Sequence, residues 1–302
     1  MSRQRLIPLS GILLALVIAP GCSIKKLAAR SVANALAGGG DVFSSDEDPQ
    51  LVREAVPFAL KTYESLLETV PEHRPLLVAT AAGFTQYAYG FVLGDAEQLE
   101  ATDLASSLAV RRRVRRLLLR ARGYGFRALD LAHPGLTAEL RKGRIEGLAA
   151  TRSEDLAALY WTGLAWGAAI VVLKDDAELI GDLPAVEAVL RRVIALDEAY
   201  DRGGAHEIMV TLEAGLAAGS LERAKEHFER AIAISGGHAA SPFVTYAETV
   251  AVKNQDRALF DQMLERALAV DVNAERSMRL KNLLAQERAR WLKARATELF
   301  VD

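Results

Sequence analysis

The sequence predicts an all-α protein built from stacked antiparallel helix hairpins, a tetratricopeptide-like superhelical array. Three observations lead there. Alanine, leucine, glutamate and arginine dominate the 302 residues and only 9 are proline, a composition of strong helix formers. Alternating runs of Val, Ile, Thr and aromatic residues, the signature of strands, are almost missing. A helical phrase also recurs in the C-terminal half as Leu190-Val193-Ile194-Leu196-Asp197, Phe228-Ala231-Ile232-Ile234-Ser235 and Leu264-Ala267-Leu268-Val270-Asp271, in steps of 38 and 36 residues. That spacing is close to the roughly 34-residue period of helical hairpin repeats. Looser copies begin at Tyr63 and Gly125, about two repeats apart from each other and from Leu190.

The chain opens on a secretory leader. Arg3 and Arg5 precede an apolar run from Leu6 to Ala19, interrupted by Pro8 and Ser10, and Ala19-Pro20-Gly21 leads into Cys22. A basic start, a short apolar stretch and small residues at a cleavage point describe a signal peptide over residues 1–21. Cys22, the only cysteine, stands where a bacterial lipoprotein carries its acyl chains, although Ala19 and Pro20 replace the usual residues of that motif. Two acyl chains give stable membrane attachment where one gives marginal binding. Ser23 rather than Asp follows the cysteine, which in a double-membrane cell favours the outer membrane, with the folded part on the periplasmic side. No second cysteine is present to form a disulfide.

Residues 22–50 read as an acylated tether. Ile24 to Leu36 has helical spacing, and Gly38-Gly39-Gly40 with the Ser44 to Pro49 stretch breaks it. A single repeat domain follows over 51–302. Its first helix runs from Leu51 to Val70, closed by Pro71. The second runs from Pro75, suited to a first turn, to Gly94. A long helix covers Ala96 to Ala132, with a break expected at Gly123-Tyr124-Gly125, and His133-Pro134-Gly135 ends it. Leu136 to Ala149 is a weaker segment. Further helices are expected from Ser153 to Leu173, from Pro184 to about Asp201, over Ala205–Ala218, Leu221–Ser235, Pro242–Lys253 and Asp256–Val270, and from Ala274 to Phe300.

Composition excludes some functions. The net charge is -2, and a chain that has lost Arg3 and Arg5 carries about -4 by the same count, which is no balance for binding nucleic acid. Seven arginines crowd residues 111–122, but Val110, Val114, Leu117, Leu118 and Ala121 run through them as an apolar stripe. They read as the solvated face of an amphipathic helix, with docking to an acidic partner or lipid head groups as the alternative. Gly123-Tyr124-Gly125-Phe126-Arg127-Ala128 fits the loose dinucleotide fingerprint, yet it follows a helix and lacks the strand that the fingerprint needs. His206-Glu207 has Val210 where a zinc protease helix needs histidine. No serine sits in a nucleophile elbow. No cofactor, metal site or catalytic group is expected.

Two groups of residues remain as candidates. Tyr160 to Leu173 contains no charge, as in a helix buried on every side, and its fourteen residues are too few to cross a bilayer. Gly163 and Gly167 let a neighbouring helix come close. Trp161 and Trp166 point about 140° apart, so the helix is either pure core or core on one side and cavity on the other. In stacked hairpins the first helix of each pair faces the concave side. There His206, Glu207, Glu248, Asn254, Asn282 and Gln286 are candidates for partner contact or pocket lining.

The lipoprotein leader, Trp161-Thr162-Gly163-Leu164-Ala165-Trp166-Gly167, Gly204-Ala205-His206-Glu207, Tyr246-Ala247-Glu248 with Val252-Lys253-Asn254-Gln255-Asp256, and Arg279-Leu280-Lys281-Asn282 with Ala285-Gln286 together resemble the T-component lipoproteins of tripartite ATP-independent periplasmic (TRAP) transporters. The resemblance covers nearly the whole mature chain. It implies a non-enzymatic helical repeat protein that associates with the substrate-binding P-component, which delivers organic acids or apolar ligands to a permease. A cavity or channel for an apolar ligand fits this reading, and the sequence leaves open whether the chain forms a homo-oligomer. The alternative is a lipoprotein scaffold for assembly of the cell envelope.

Overall fold

A computed structural model describes residues 21–173, 175–215 and 219–300. The leader expected over residues 1–21 falls outside these except for Gly21, and so does the side chain of Cys22. Among the described residues all regular structure is helical and there is no strand.

The first helices are α1 (Gly21–Ala37), α2 (Gly40–Ser44), α3 (Pro49–Thr69) and α4 (Arg74–Tyr87). The stretch read as a tether is largely helical and packed. Ala33 of α1 is fully buried, α1 lies against α3 and α4, and Asn34 bonds the His73 ring at 2.9 Å. Asp48 caps α3 by accepting from the Leu51 N–H, which satisfies one of the donors that every helix start leaves open. Beyond α4 the chain stays helical through a wide π turn, Ala88–Val92, into α5 (Leu93–Leu99). The expected end at Gly94 is therefore passed over.

The long arginine-rich helix begins later than expected and does not break. Asp103 caps α6 (Leu104–Ala132) through the Ser106 N–H, and α6 runs straight through Gly123-Tyr124-Gly125. Gly125 marks the closest helix crossing rather than a hinge. A Cβ there would collide with Thr162 of α8 (Leu156–Val172), side chain and backbone alike. Between them lies α7 (Leu136–Leu140). Arg74, His133 and Asp155 tie the ends of α4, α6 and α8 together. Arg74 donates to Asp155 and to the Ala128 carbonyl, and the His133 ring lies 2.8 Å from the other Asp155 oxygen.

The second half comprises α9 (Ala177–Gly181), α10 (Leu183–Asp197), α11 (Gly204–Gly215), α12 (Leu221–Ser235), α13 (Ser241–Tyr246), α14 (Arg257–Leu268), α15 (Arg279–Ala294) and α16 (Ala296–Leu299). A second π turn, Ala247–Ala251, extends α13. The three copies of the recurring phrase fall on α10, α12 and α14. α10 packs on α8, α12 on α11 and α14 on α13, and α15 closes the series on α13 and α14.

Two hydrophobic cores result. One is built around Leu76, Leu118, Leu129, Leu159, Trp166, Leu190 and Met209. The other is built around Val210, Phe228, Phe243, Phe260, Leu264 and Leu292. They share α11, where Met209 turns into one and Val210 into the other. The ends of the chain then meet. α15 touches α2 and α3, Arg279 donates to the Ser45 carbonyl at 3.3 Å, and Arg288 pairs with Glu97 of α5.

By length and composition two helices, Arg74–Leu99 and Ser153–Val172, are apolar enough to cross a membrane. The expectation that the second is too short counted only its uncharged core. Its lead-in turn lengthens it to 20 residues, of which 78% of the apolar window is buried in the protein, the behaviour of a core helix.

Candidate functional site

Where the N-terminal helices meet α15, the helices line a half-open pocket of about 1150 Å³. Cavities of about 300–1,000 Å³ suffice for small-molecule ligands. Its walls are the first π turn with α5, then α11, α13 with its π turn, and α15. Each wall follows helical spacing. On α15, Lys281, Leu284, Ala285, Arg288 and Trp291 recur at intervals of three or four or their sums, which keeps them on one face. The helix α8 contributes only its last turn, Ile170 to Val172. Both π turns lie in the wall, giving it Tyr89, Gly90 and Phe91 on one side and Glu248 and Thr249 on the other. Such wide turns are frequent at functional sites because they displace side chains from the regular ladder.

Two charged clusters stand among apolar side chains. Arg288 donates to both Glu97 and Glu248 and stacks on Trp291, 4.3 Å from the ring centre. Lys281 lies 3.6 Å from Asp201 and 3.4 Å from Glu207. Asp201 also accepts from the Tyr160 hydroxyl at 2.5 Å. Glu207 accepts from Ser241 at 2.8 Å and from Thr245 at 3.2 Å. Each cation therefore serves two carboxylates.

Burial alone would push Lys281 and Arg288 down. The flanking carboxylates outweigh it and hold both above their usual values, so both stay charged. Glu97 is pushed up by burial and by Glu248, more than Arg288 pulls it down. Tyr89 is raised by burial and then by Glu248 and Glu207, so its hydroxyl keeps its proton. Tyr89 is itself 49% accessible and lines the pocket. With one cation to two carboxylates, each cluster is net negative when all its groups are ionised. An apolar group entering the cavity meets Phe91, Ile170, Val172, Leu284 and Trp291 without displacing a charge.

Of the residues singled out in the sequence, Glu207 and Glu248 are in this wall. The others are elsewhere, for definite reasons. Trp166 is fully buried. Its Nε1 donates to Asp182 at 2.9 Å, its ring meets Phe126 edge-on at 5.0 Å, and Arg122 covers it at 5.5 Å. Trp161 is half-buried beside Tyr160. Gly163 faces Val189 and Leu190, and Gly167 faces Val186, so they admit α10. The tryptophan-glycine phrase is core, and the cavity alternative for it fails.

Asn282 is fully buried. It accepts from the Ala240 N–H at 2.9 Å and donates to the His238 carbonyl at 2.8 Å. Gln286 donates to the carbonyls of Ala267, Leu268 and Val270, which caps the end of α14. Both sit on α15 beside its cavity face rather than on it, because one residue turns a side chain by about 100°. His206 points toward α12. Its Nδ1 lies 2.8 Å from the Nδ1 of His227, and burial lowers both rings, His227 to about 4. Asn254 lies exposed in the turn after the second π segment.

The sequence reading missed Lys281, Arg288, Glu97 and Tyr89. For Lys281 and Arg288 the signal existed, since they are seven residues apart on one helix and lie at the Leu284 and Trp291 spacing. For Glu97 and Tyr89 it did not, because only closure of the chain places them opposite α15.

The arginine run is largely paired. Arg111 reaches Glu100 at 3.0 Å, Arg115 pairs with Asp175, Arg120 with Glu64, and Arg122 with Asp182 at 3.6 Å. Arg112, Arg113 and Arg116 are exposed. No group of His, Cys, Asp and Glu able to hold a metal occurs among the described residues.

Comparison with known proteins agrees with the resemblance seen in the sequence. A relative from Treponema pallidum (strain Nichols), described as an uncharacterized protein, is 31% identical over 307 residues, covering 95% of this chain and 95% of its own length. The sequence model of the family described as "TRAP transporter T-component" matches residues 45–300. That family is an accessory family of transporters and not an enzyme family. A match of this extent, over the helices that line the pocket, shows that the chain belongs to the T-component family of TRAP transporters.

Proposed function

We propose that this chain is a periplasm-facing lipoprotein, held by acyl chains at Cys22 and sorted to the outer membrane, that docks the solute-binding P-component of a TRAP transporter. In the same reading its paired helices form a tetratricopeptide-like array, and the cavity receives the apolar part of a transported solute. Membership of the family implies association with other TRAP components. The observation that carries the rest is the half-open pocket between the N-terminal helices and α15, lined by apolar side chains and by the Lys281 and Arg288 ion-pair clusters. Its apolar side chains accommodate an uncharged body, and the surplus of carboxylates in the two clusters disfavours an anion beside them.

Mixing the detergent-purified full chain with the solute-binding protein of its own transporter tests the docking. Co-elution in gel filtration, with an affinity in the micromolar range or tighter, is expected. Absence of a complex at high concentration, with the solute present and absent, overturns it.

A further inference from the structure

α1 has two faces. Ala29 and Ala33 face α3 and α4 and are half-buried and buried. At 100° per residue, Ile24, Ala28, Ser31 and Ala35 lie within about 60° of one another on the opposite side, and all four are exposed. Leu27 and Val32 flank this stripe, and the exposures of Ile24, Leu27 and Val32 are 73%, 70% and 49%. An outward apolar face of this kind leaves large side chains in water, and none of the described residues covers them. The charges of the helix are Lys25, Lys26 and Arg30, and between Gly21 and Ala37 there is no Asp or Glu. Lys25 and Arg30 sit between the exposed stripe and the packed face, whereas Lys26 lies on the side of Ala29 and Ala33. Apolar residues on one side, cations at its borders and no anion is the pattern of a helix lying in a lipid–water interface. Lys and Arg near an anionic head-group layer are attracted to it.

We infer that α1 is an interfacial helix that lies in the surface of an anionic membrane, with Ile24, Leu27 and Val32 among the acyl chains and Lys25 and Arg30 at lipid phosphates. The inference rests on the lipoprotein reading to the extent that acylation of Cys22, two residues before Ile24, brings α1 to the bilayer. Because Ala33 is packed into the body, a helix held this way fixes the orientation of the whole domain against the membrane, which an extended tether does not.

The test uses the full-length acylated protein in phosphatidylethanolamine–phosphatidylglycerol vesicles. Once Cys22 is acylated the chain has no free thiol, so Leu27→Cys carries a single environment-sensitive fluorophore, and Lys225→Cys on α12 is the control. Doxyl-labelled lipids should quench position 27 severalfold more than position 225. Combining Lys25→Glu and Arg30→Glu should abolish that difference while the protein still floats with the vesicles. An acylated, floating protein with equal, weak quenching at both positions overturns the inference and leaves the lipoprotein reading intact. If intact-mass measurement finds no acyl group, the same comparison in a Cys22→Ser background decides it. Quenching at position 27 then sustains the interfacial helix and discards the lipid anchor, and its absence discards both.

Discussion

The helices α8 and α15 show how differently a core and a cavity are written. α8 is apolar on all sides and carries the most distinctive phrase of the chain, yet protein surrounds it and only its last turn reaches the cavity. α15 is an ordinary amphipathic helix, and three of its faces have three tasks. Asn282 and Gln286 bond backbone groups of the preceding turn and helix, Ala289 and Leu292 fill the second core, and Lys281, Leu284 and Arg288 wall the cavity. Distinctive residue types mark where backbones approach closely. The site is marked by the periodicity of common residues.

The largest expected effect is at the close crossing of α6 and α8. Gly125→Leu should destabilise more than Gly163→Leu, and Gly163→Leu more than Gly167→Leu. A side chain at Gly125 meets Thr162 including its backbone, whereas those at the other two meet side-chain ends of α10. Overpacking costs about 1–3 kcal/mol and sometimes more. Thermal melting gives the order, and a Gly125→Leu protein that melts like wild type would mean that α6 and α8 do not cross there.

Next comes Asn282→Ala, expected to cost about 1–3 kcal/mol by leaving two buried backbone groups without partners. Partner binding should survive once the protein is folded. Retained stability with lost binding would return Asn282 to the cavity side and undo the contrast between the faces of α15.

Acid should weaken the α11–α12 contact. Burial lowers both His206 and His227, the latter to about 4 from 6.5. The unfolded chain therefore binds more protons than the folded one over that interval. The stability these rings contribute is present above about 6.5 and is lost as pH falls toward 4. Melting temperature should drop between neutral and mildly acidic pH, and His227→Gln should shrink the drop. An unchanged slope in that variant would place the acid sensitivity elsewhere. The smallest effect belongs to the outer face of α6. Replacing Arg112, Arg113 or Arg116 singly by Gln should change stability by no more than about 0.5 kcal/mol, and denaturant midpoints would show it.

Much of the fold was legible because helix signals are local. Asp103, Ser220 and Asp256 cap their helices through side-chain oxygens, and α12 spans the residues its periodicity predicts. The misreadings came from tertiary effects. Gly123 and Gly125 look like a break in one strand of text, yet α8 needs Gly125 small while α6 stays helical. The π turn after Tyr87 carries α4 past Gly94 because the widened ladder keeps its bonds. Of the site, Glu207 and Glu248 were found and Glu97 and Tyr89 were not, since their neighbours in the cavity lie far away along the chain.

The most direct test of the cavity as the working part of the molecule is Gly94→Trp. Gly94 lines the pocket and has open space where a side chain would begin, so an indole there takes up part of the pocket and obstructs it without disturbing α8 or either core. Solute uptake would be measured in cells whose own copy of the gene is deleted, alongside the melting temperature of the purified variant. The account predicts uptake close to that of the deletion strain at an unchanged melting temperature. Wild-type uptake with the indole in place would contradict it.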